Sequence, residues 1–128
     1  MYTVAVQCEV ICQHYLIGGD FGPENHPHSH HYRIEARLMG RELDVHGFLV
    51  DIDDLNARLQ AAVGRFRDRS LNDLPEFEGL NPSIEHLCRI LLEGLASGLP
   101  VRGPATLRVT IWESPYAWAA YTRELPCT

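Results

Sequence analysis

The 128-residue sequence lacks a basic block and a long apolar run. Its formal net charge is -6, so nucleic acids and anionic membranes are poor candidates as partners. No apolar stretch approaches the ~20 residues of a membrane-spanning helix. The start of the chain also lacks the basic segment that opens a signal peptide. We therefore expect a cytoplasmic protein with one domain over residues 1–128.

The signatures of two common enzyme classes are also missing. The sequence contains no Walker-type glycine loop and no Gly-x-Ser-x-Gly element, which argues against a P-loop nucleotide site and an α/β-hydrolase nucleophile. No internal repeat or low-complexity segment occurs. The 4 cysteines (Cys8, Cys12, Cys88 and Cys127) have neither zinc-finger spacing nor the pattern of a secreted disulfide framework. We expect them to be reduced thiols.

Histidine, in contrast, is concentrated in one segment. Four of the 7 histidines lie between Glu24 and Tyr32. In a strand His28 and His30 project to the same face, with His31 on the other. With His14, at the end of an upstream apolar run, they would form a three-nitrogen site with one open position, as in catalytic zinc sites. The alternatives are an exposed pair without metal, an adventitious metal-binding loop, and a core role for His14.

Hydrophobic periodicity predicts the order β-β-α-α-β-β. Alternation favours strands over residues 2–14, 28–40, 106–113 and 116–125. The polar stretch 41–47 suggests a hairpin after the second strand. A first helix begins at Asp51, with an apolar stripe from Ile52 to Phe66. A second helix opens with Asn81-Pro82-Ser83, with Asn81 interpreted as the cap and Pro82 as part of the first turn. The fold class is therefore α+β, with both helices on one face of an antiparallel sheet.

Six short motifs follow one another along this framework. They are His14, His28-Ser29-His30-His31-Tyr32, Gly47-Phe48-Leu49-Val50-Asp51-Ile52, Leu71-Asn72, Pro82-Ser83-Ile84-Glu85-His86 and Glu113-Ser114. In order and spacing they resemble the 6-pyruvoyl-tetrahydropterin synthase / 6-carboxy-tetrahydropterin synthase family over nearly the whole chain.

The resemblance implies a fold, a metal site and a substrate site. The fold would be the tunnelling fold, in which monomers join their sheets into a barrel as a homo-oligomer, a trimer or a hexamer, with active sites between subunits. Zn²⁺ would be held by His14, His28 and His30. Glu113 would anchor the pterin, because a carboxylate accepts two parallel N–H bonds from an amino-pyrimidinone. Ser83 would also contact the substrate.

Two positions depart from the family pattern. Family synthases have a catalytic cysteine four residues before the first histidine of His-x-His, and here that position is Glu24. They also have an Asp-His pair before Leu-Asn; here Asp68 matches the aspartate if one residue is deleted, and no histidine follows it. Glu24 has three interpretations: a plain loop carboxylate, a general base replacing the cysteine, or part of a pterin-binding protein without turnover.

The leading hypothesis is a zinc-dependent, pterin-forming lyase acting on 7,8-dihydroneopterin triphosphate or a close relative. In the branch of the family with glutamate near the lost cysteine, the reaction implied is retro-aldol cleavage to 6-hydroxymethyl-7,8-dihydropterin. Glu24 and Asp68 would be the catalytic residues. One alternative is a 6-carboxy-tetrahydropterin synthase that feeds deazapurine synthesis. The other is a non-catalytic pterin- or purine-binding homologue. His26, His31 and His46 remain other possible acids, although each is expected to be solvated.

Overall fold

The computed structural model describes residues 1–126, and Cys127, which was expected to be a reduced thiol, lies outside them. Its four strands form one antiparallel sheet in chain order. They are β1 (Tyr2–His14), β2 (His28–Gly40), β3 (Ala105–Ser114) and β4 (Ala117–Leu125). The sheet thus consists of two long hairpins side by side.

Two helices lie between the hairpins in the chain: α1 (Ile52–Gly64) and α2 (Ile84–Ala96). Asp51 begins α1, since its carboxylate accepts hydrogen bonds from the backbone N–H groups of Asp53 and Asp54, two donors that would otherwise lack partners. Neither helix is long and apolar enough to cross a membrane, and no other helix in residues 1–126 is. The predicted order β-β-α-α-β-β is confirmed.

The core lies between the helices and one face of the sheet. In β2 every second residue from Tyr32 to Leu38 is at most 1% exposed, as the two-residue period of a strand requires. The helices bury Leu55, Leu59 and Val63 from α1 and a leucine-rich stripe from α2 against this face. Because the same face continues to His30 and His28, the packed core ends at the histidines.

The predicted hairpin after β2 is wrong. Residues 41–47 lead into α1 and not into a strand. The chain forms a tight turn at Asp44, whose carboxylate accepts hydrogen bonds from the backbone N–H groups of His46 and Phe48. Gly47, with φ of 83°, supplies the left-handed residue that the turn needs.

The predicted start of the second helix is also wrong, by two residues. Ser83 is the N-cap, and its hydroxyl accepts from the backbone N–H of His86 at 3.2 Å. Asn81 is unavailable as a cap because its side-chain oxygen accepts from the backbone N–H of Ile17 at 2.8 Å. A long-range contact therefore overrides the local preference.

The stripe predicted for α1 differs at its two ends. Ile52 is 53% exposed, whereas Phe66 is buried although α1 ends at Gly64. Phe66 reaches the core from the turn after the helix, where its ring packs edge-on against Phe77 at 6.2 Å. The core thus extends into two 3-10 turns, Leu71–Asp73 and Pro75–Phe77.

Candidate functional site

Three histidines converge at one end of the sheet. His14 is the last residue of β1 and lies directly opposite His28, the first residue of β2. His30 follows on the same face. The ring centroids are 4.6, 4.7 and 4.8 Å apart, and one ligand nitrogen from each ring lies within 4.8 Å of the others. The structure therefore brings together the three residues predicted as metal ligands, and His31 points away, within 3.6 Å of Glu9.

Backbone carbonyls orient two of these rings. The Nδ1 of His14 lies 2.8 Å from the Pro82 carbonyl, and the Nδ1 of His28 lies 2.8 Å from the His26 carbonyl. A carbonyl only accepts hydrogen bonds, so each Nδ1 must carry the proton. The Nε2 atoms are then free to act as ligands. The Nε2 of His28 is 3.0 Å from that of His30, and one ring nitrogen of His14 lies within 4.8 Å of both histidines' ligand atoms, a spacing that fits a metal ion held between the three rings.

The surroundings favour the neutral imidazoles that a metal requires. Burial lowers the pKa of His14, and its neighbours His30 and His28 lower it further. Burial and then His28 lower the pKa of His30. A proton competes less well for such rings, so they stay available to a metal ion near neutral pH. The donor set of three imidazoles suits Zn²⁺.

Tyr32 packs directly behind the cluster. Its ring stacks on His30, with centroids 5.1 Å apart and an interplanar angle of 10°. Its hydroxyl is buried and has no hydrogen-bond partner within the described residues 1–126. Burial raises the pKa of Tyr32, and Cys12, Glu113 and Glu24 raise it further, so the phenol remains protonated.

Glu24 lies near the histidine cluster. It lies in an exposed 3-10 turn, Gly22–Asn25. Its carbonyl accepts from the backbone N–H of Leu16 at 2.8 Å, two residues after His14. Its negative charge works against the burial that lowers the pKa of His14 and of His30. The structure thus places the predicted base within electrostatic reach of two predicted ligands.

Glu113 lies at the same end of the sheet but lines a cleft on the opposite face. The cleft has a volume of about 430 Å³ and is formed with Glu9, His31, Arg33, Trp112, Ser114 and Pro115. The pairing of β3 with β4 shifts register between Trp112 and Ser114. Glu113 is the residue that this irregularity leaves without a partner in β4. Its charge still raises the pKa of Tyr32, so Glu113 acts electrostatically on the histidine side as well.

The structure does not bring Asp68 into the cluster. Its backbone N–H donates to the Ile11 carbonyl at 2.7 Å. Ile11 is three residues before His14, a distance of roughly 10 Å along an extended strand. Asp68 has a φ of 57°, the one left-handed non-glycine residue among residues 1–126, a conformation that aspartate tolerates better than most residues.

Ser83 lies beside the Pro82 carbonyl that orients His14, and its hydroxyl oxygen already accepts a bond from the backbone of His86. It keeps a proton to donate. Three residues were missed as structural elements of the site: Pro82 and His26, which act through their carbonyls, and Asn72, described below. A backbone carbonyl carries no side-chain signal, so no sequence pattern would have found the first two. His26, His31 and His46 are all exposed.

Comparison with known proteins gives both sequence and structural matches. The sequence profile of the family described as 6-pyruvoyl tetrahydropterin synthase matches residues 3–124. The solved 6-pyruvoyl tetrahydropterin synthase of Caenorhabditis elegans is similar, with a TM-score of 0.78 and 21% identity over 95% of this chain and 95% of that chain. No curated protein matches the chain in sequence.

Two further solved structures are similar in fold. The 6-pyruvoyltetrahydropterin synthase of Plasmodium vivax, in a variant whose catalytic glutamate is replaced by alanine, has a TM-score of 0.75 and 15% identity, covering 98% of this chain and 100% of that one. A dihydroneopterin aldolase of Burkholderia thailendensis bound to guanine has a TM-score of 0.50 and 14% identity, covering 99% and 92%. Four antiparallel strands with two helices on one face match the tunnelling fold of these synthases.

Proposed function

Because the chain belongs to the 6-pyruvoyl tetrahydropterin synthase family, we propose that it is a zinc-dependent lyase that cleaves the side chain of 7,8-dihydroneopterin triphosphate or a close relative. The product would be 6-hydroxymethyl-7,8-dihydropterin. The observation that carries the proposal is the convergence of three imidazoles, with Glu24 near them in place of a cysteine.

His14, His28 and His30 would hold the zinc ion through their Nε2 atoms. Bound there, zinc would supply Lewis acidity toward the hydroxyl oxygens of the substrate side chain. The protein residues supply the remaining steps of binding and proton transfer. Glu113 and the three histidines lie at the same end of the sheet. This placement suits a ligand that consists of a flat ring and a hydroxylated side chain.

Glu113 would bind the ring. The amino-pyrimidinone edge of a pterin presents two adjacent N–H donors, and a carboxylate accepts both. Guanine has the same edge, and it is the ligand of the dihydroneopterin aldolase that is similar in fold. The Glu113 carboxylate is exposed, and its charge reaches Tyr32, the ring that stacks on His30, so it is available for this contact near the histidines. Ser83 would donate its remaining hydroxyl proton to the substrate.

Glu24 would act as the base. It takes the proton from the hydroxyl on the second side-chain carbon, which becomes a carbonyl as its bond to the first side-chain carbon breaks. The electron pair moves to the first carbon and into the adjacent C=N of the ring, and a proton returned to that carbon leaves a hydroxymethyl group. The step needs no oxidant or reductant. The Plasmodium vivax enzyme, which has a catalytic glutamate, supports a glutamate in this role.

Asp68 would serve a neighbouring subunit. In its own chain it lies against Ile11, away from the histidines. Both outer strands of the sheet, β1 and β4, have an unpaired edge over most of their length within residues 1–126. Pairing such edges between copies closes a barrel and removes the exposed hydrogen-bonding groups. A trimer or a hexamer of this kind would bring the Asp68 segment of one subunit to the site of the next.

The test is anaerobic incubation of the zinc-loaded protein with 7,8-dihydroneopterin triphosphate, with products identified by mass spectrometry. We expect 6-hydroxymethyl-7,8-dihydropterin and a phosphorylated two-carbon aldehyde. Glu24→Gln should lower turnover by about 100-fold or more and leave zinc content unchanged. Glu78→Gln, which alters another exposed loop glutamate, is the matched control and should turn over normally.

Other products would identify the alternatives. A 6-carboxy or 6-pyruvoyl product would replace the cleavage reaction with a synthase reaction. Tight binding without any product would indicate a pterin-binding protein without turnover. Normal activity in Glu24→Gln would remove Glu24 from the catalytic role.

A further inference from the structure

A short segment between the two helices runs along the outer edge of β1 next to His14. We call residues Asp68–Asn72 the strap. The backbone N–H of Asp68 donates to the Ile11 carbonyl at 2.7 Å, and the N–H of Gln13 donates to the Arg69 carbonyl at 2.9 Å. A parallel bridge joins Gln13 to Ser70. The strap therefore pairs with β1 like a short additional strand that ends at the metal centre.

Asn72 continues this pairing with its side chain. Its Oδ1 accepts from the backbone N–H of Tyr15 at 2.9 Å, and its Nδ2 donates to the Tyr15 carbonyl, also at 2.9 Å. One amide thus satisfies both polar backbone groups of the residue that follows His14. An asparagine amide matches a peptide group in donor and acceptor, so it replaces the strand partner that β1 lacks there.

His14 lies between two residues that the strap fixes. Gln13 is held by Arg69 on one side, and Tyr15 is held by Asn72 on the other. The ring itself is oriented by the Pro82 carbonyl. Leu71, fully buried, ties the strap to the core. With the backbone fixed on both sides and Nδ1 bonded, the Nε2 of His14 has little freedom to leave the cluster.

We propose that Asn72 is a positioning residue for the metal centre. Its amide forms two hydrogen bonds with the backbone of Tyr15 and so fixes the position of the preceding ligand, His14. The inference rests on the proposed metal-binding function of the three histidines. Asn72 also links the strap, which carries Asp68, to the metal ligand His14. A well-ordered strap therefore stabilises the position of His14, and a fixed His14 stabilises the strap. Asn72 touches neither metal nor substrate, and its effect passes through Tyr15 and His14.

Two variants separate the contributions of the two hydrogen bonds between Asn72 and Tyr15. Asn72→Ala removes both hydrogen bonds, and we expect zinc affinity to fall by about 10- to 100-fold, as for other residues that orient ligands. Asn72→Asp keeps the acceptor for the Tyr15 N–H but removes the donor to the Tyr15 carbonyl, so its zinc affinity should fall by less than that of Asn72→Ala. Asn56→Ala, at an exposed position in α1, is the control and should bind zinc like wild type. Affinity is measured by competition with a chromogenic chelator.

Two further readouts distinguish positioning from a general loss of stability. Co²⁺ substituted for zinc reports ligand geometry through its visible absorption, and Asn72→Ala should change the spectrum while its circular dichroism remains that of the folded chain. Hydrogen exchange at the Tyr15 amide should accelerate in Asn72→Ala and not in Asn72→Asp. If Asn72→Ala does not fold, the Asn72→Asp affinity and exchange data carry the test.

The outcomes separate the two proposals. If wild type binds one zinc per chain but both Asn72 variants bind it equally tightly, with an unchanged Co²⁺ spectrum, the positioning inference is wrong and the proposed function stands. If wild type binds no zinc, the proposed function fails and this inference fails with it. A fall in zinc affinity in Asn72→Ala, together with faster hydrogen exchange at the Tyr15 amide, supports the positioning role of Asn72.

Discussion

The hydroxyl of Tyr32, which has no hydrogen-bond partner within residues 1–126, gives the sharpest test of how the site is built. Tyr32→Phe removes one oxygen from a side chain that is 1% exposed and keeps the ring that stacks on His30 at 5.1 Å. A buried polar group without a partner loses its hydration and gains nothing in return. Its removal should therefore make the protein more stable.

The magnitude follows from the same contacts. An unsatisfied buried hydroxyl costs about 1–3 kcal/mol, so Tyr32→Phe should raise the free energy of unfolding by about 1 kcal/mol, or roughly 4 °C in Tm. Tyr32→Leu should lower it by at least about 2 kcal/mol, since it leaves a cavity and loses the ring stacking. It should also weaken zinc binding, because His30 has no carbonyl partner at Nδ1 within residues 1–126 and depends on this ring.

The assay is urea denaturation in the presence of a chelator, at one fixed protein concentration, followed by zinc titration of the folded variants. Tyr116→Phe is the control, because Tyr116 is 93% exposed and its loss of hydroxyl should change stability by less than about 0.5 kcal/mol. A destabilisation of Tyr32→Phe by about 1 kcal/mol or more would refute the reasoning. It would mean that the hydroxyl has a hydrogen-bond partner beyond the described residues 1–126.

Three more outcomes follow from the structure. One zinc per chain should raise Tm, with about 2.7 kcal/mol gained at a free zinc concentration of 100 times Kd; His14→Ala should abolish the shift in a thermal melt, and a persisting shift would place zinc elsewhere. Burial raises the pKa of Cys12 and of Cys88 to about 12, so both should resist iodoacetamide at pH 8 until the chain unfolds; rapid labelling in peptide mass spectra would contradict their burial. Asp51→Ala should cost about 1 kcal/mol by removing the α1 cap, measured by urea denaturation, and Asp51→Asn should restore most of it.

Most of the fold follows from local pattern. Strands with a two-residue period and helices with one apolar face can pack in few ways, and the order β-β-α-α-β-β restricts them further. One error came from a distant residue and another from a local contact. Asn81 is a good helix cap by type, but the backbone of Ile17 occupies it. The polar stretch after β2 resembles a hairpin turn, yet Asp44 closes it locally before α1 begins.

In the candidate site, too, some features follow from the local sequence pattern and others depend on tertiary contacts. That His28 and His30 share a face follows from the strand period alone, and His14 opposite His28 follows once the hairpin pairs. The shift of register at Glu113 does not follow from the strand period, because it depends on how β3 pairs with β4. The distance of Asp68 from the cluster depends on how the segment after α1 runs along β1.

By itself, the sequence determined the elements, the inner face of the sheet and the three histidines that meet at its end, because these depend on backbone periodicity and short-range spacing. Only the tertiary structure decided which carbonyls orient the imidazoles, that Asn72 replaces a missing strand partner beside His14, and that Tyr32 buries a hydroxyl behind His30. Those contacts join residues far apart in the chain, and their partners are largely backbone groups, which every residue carries alike.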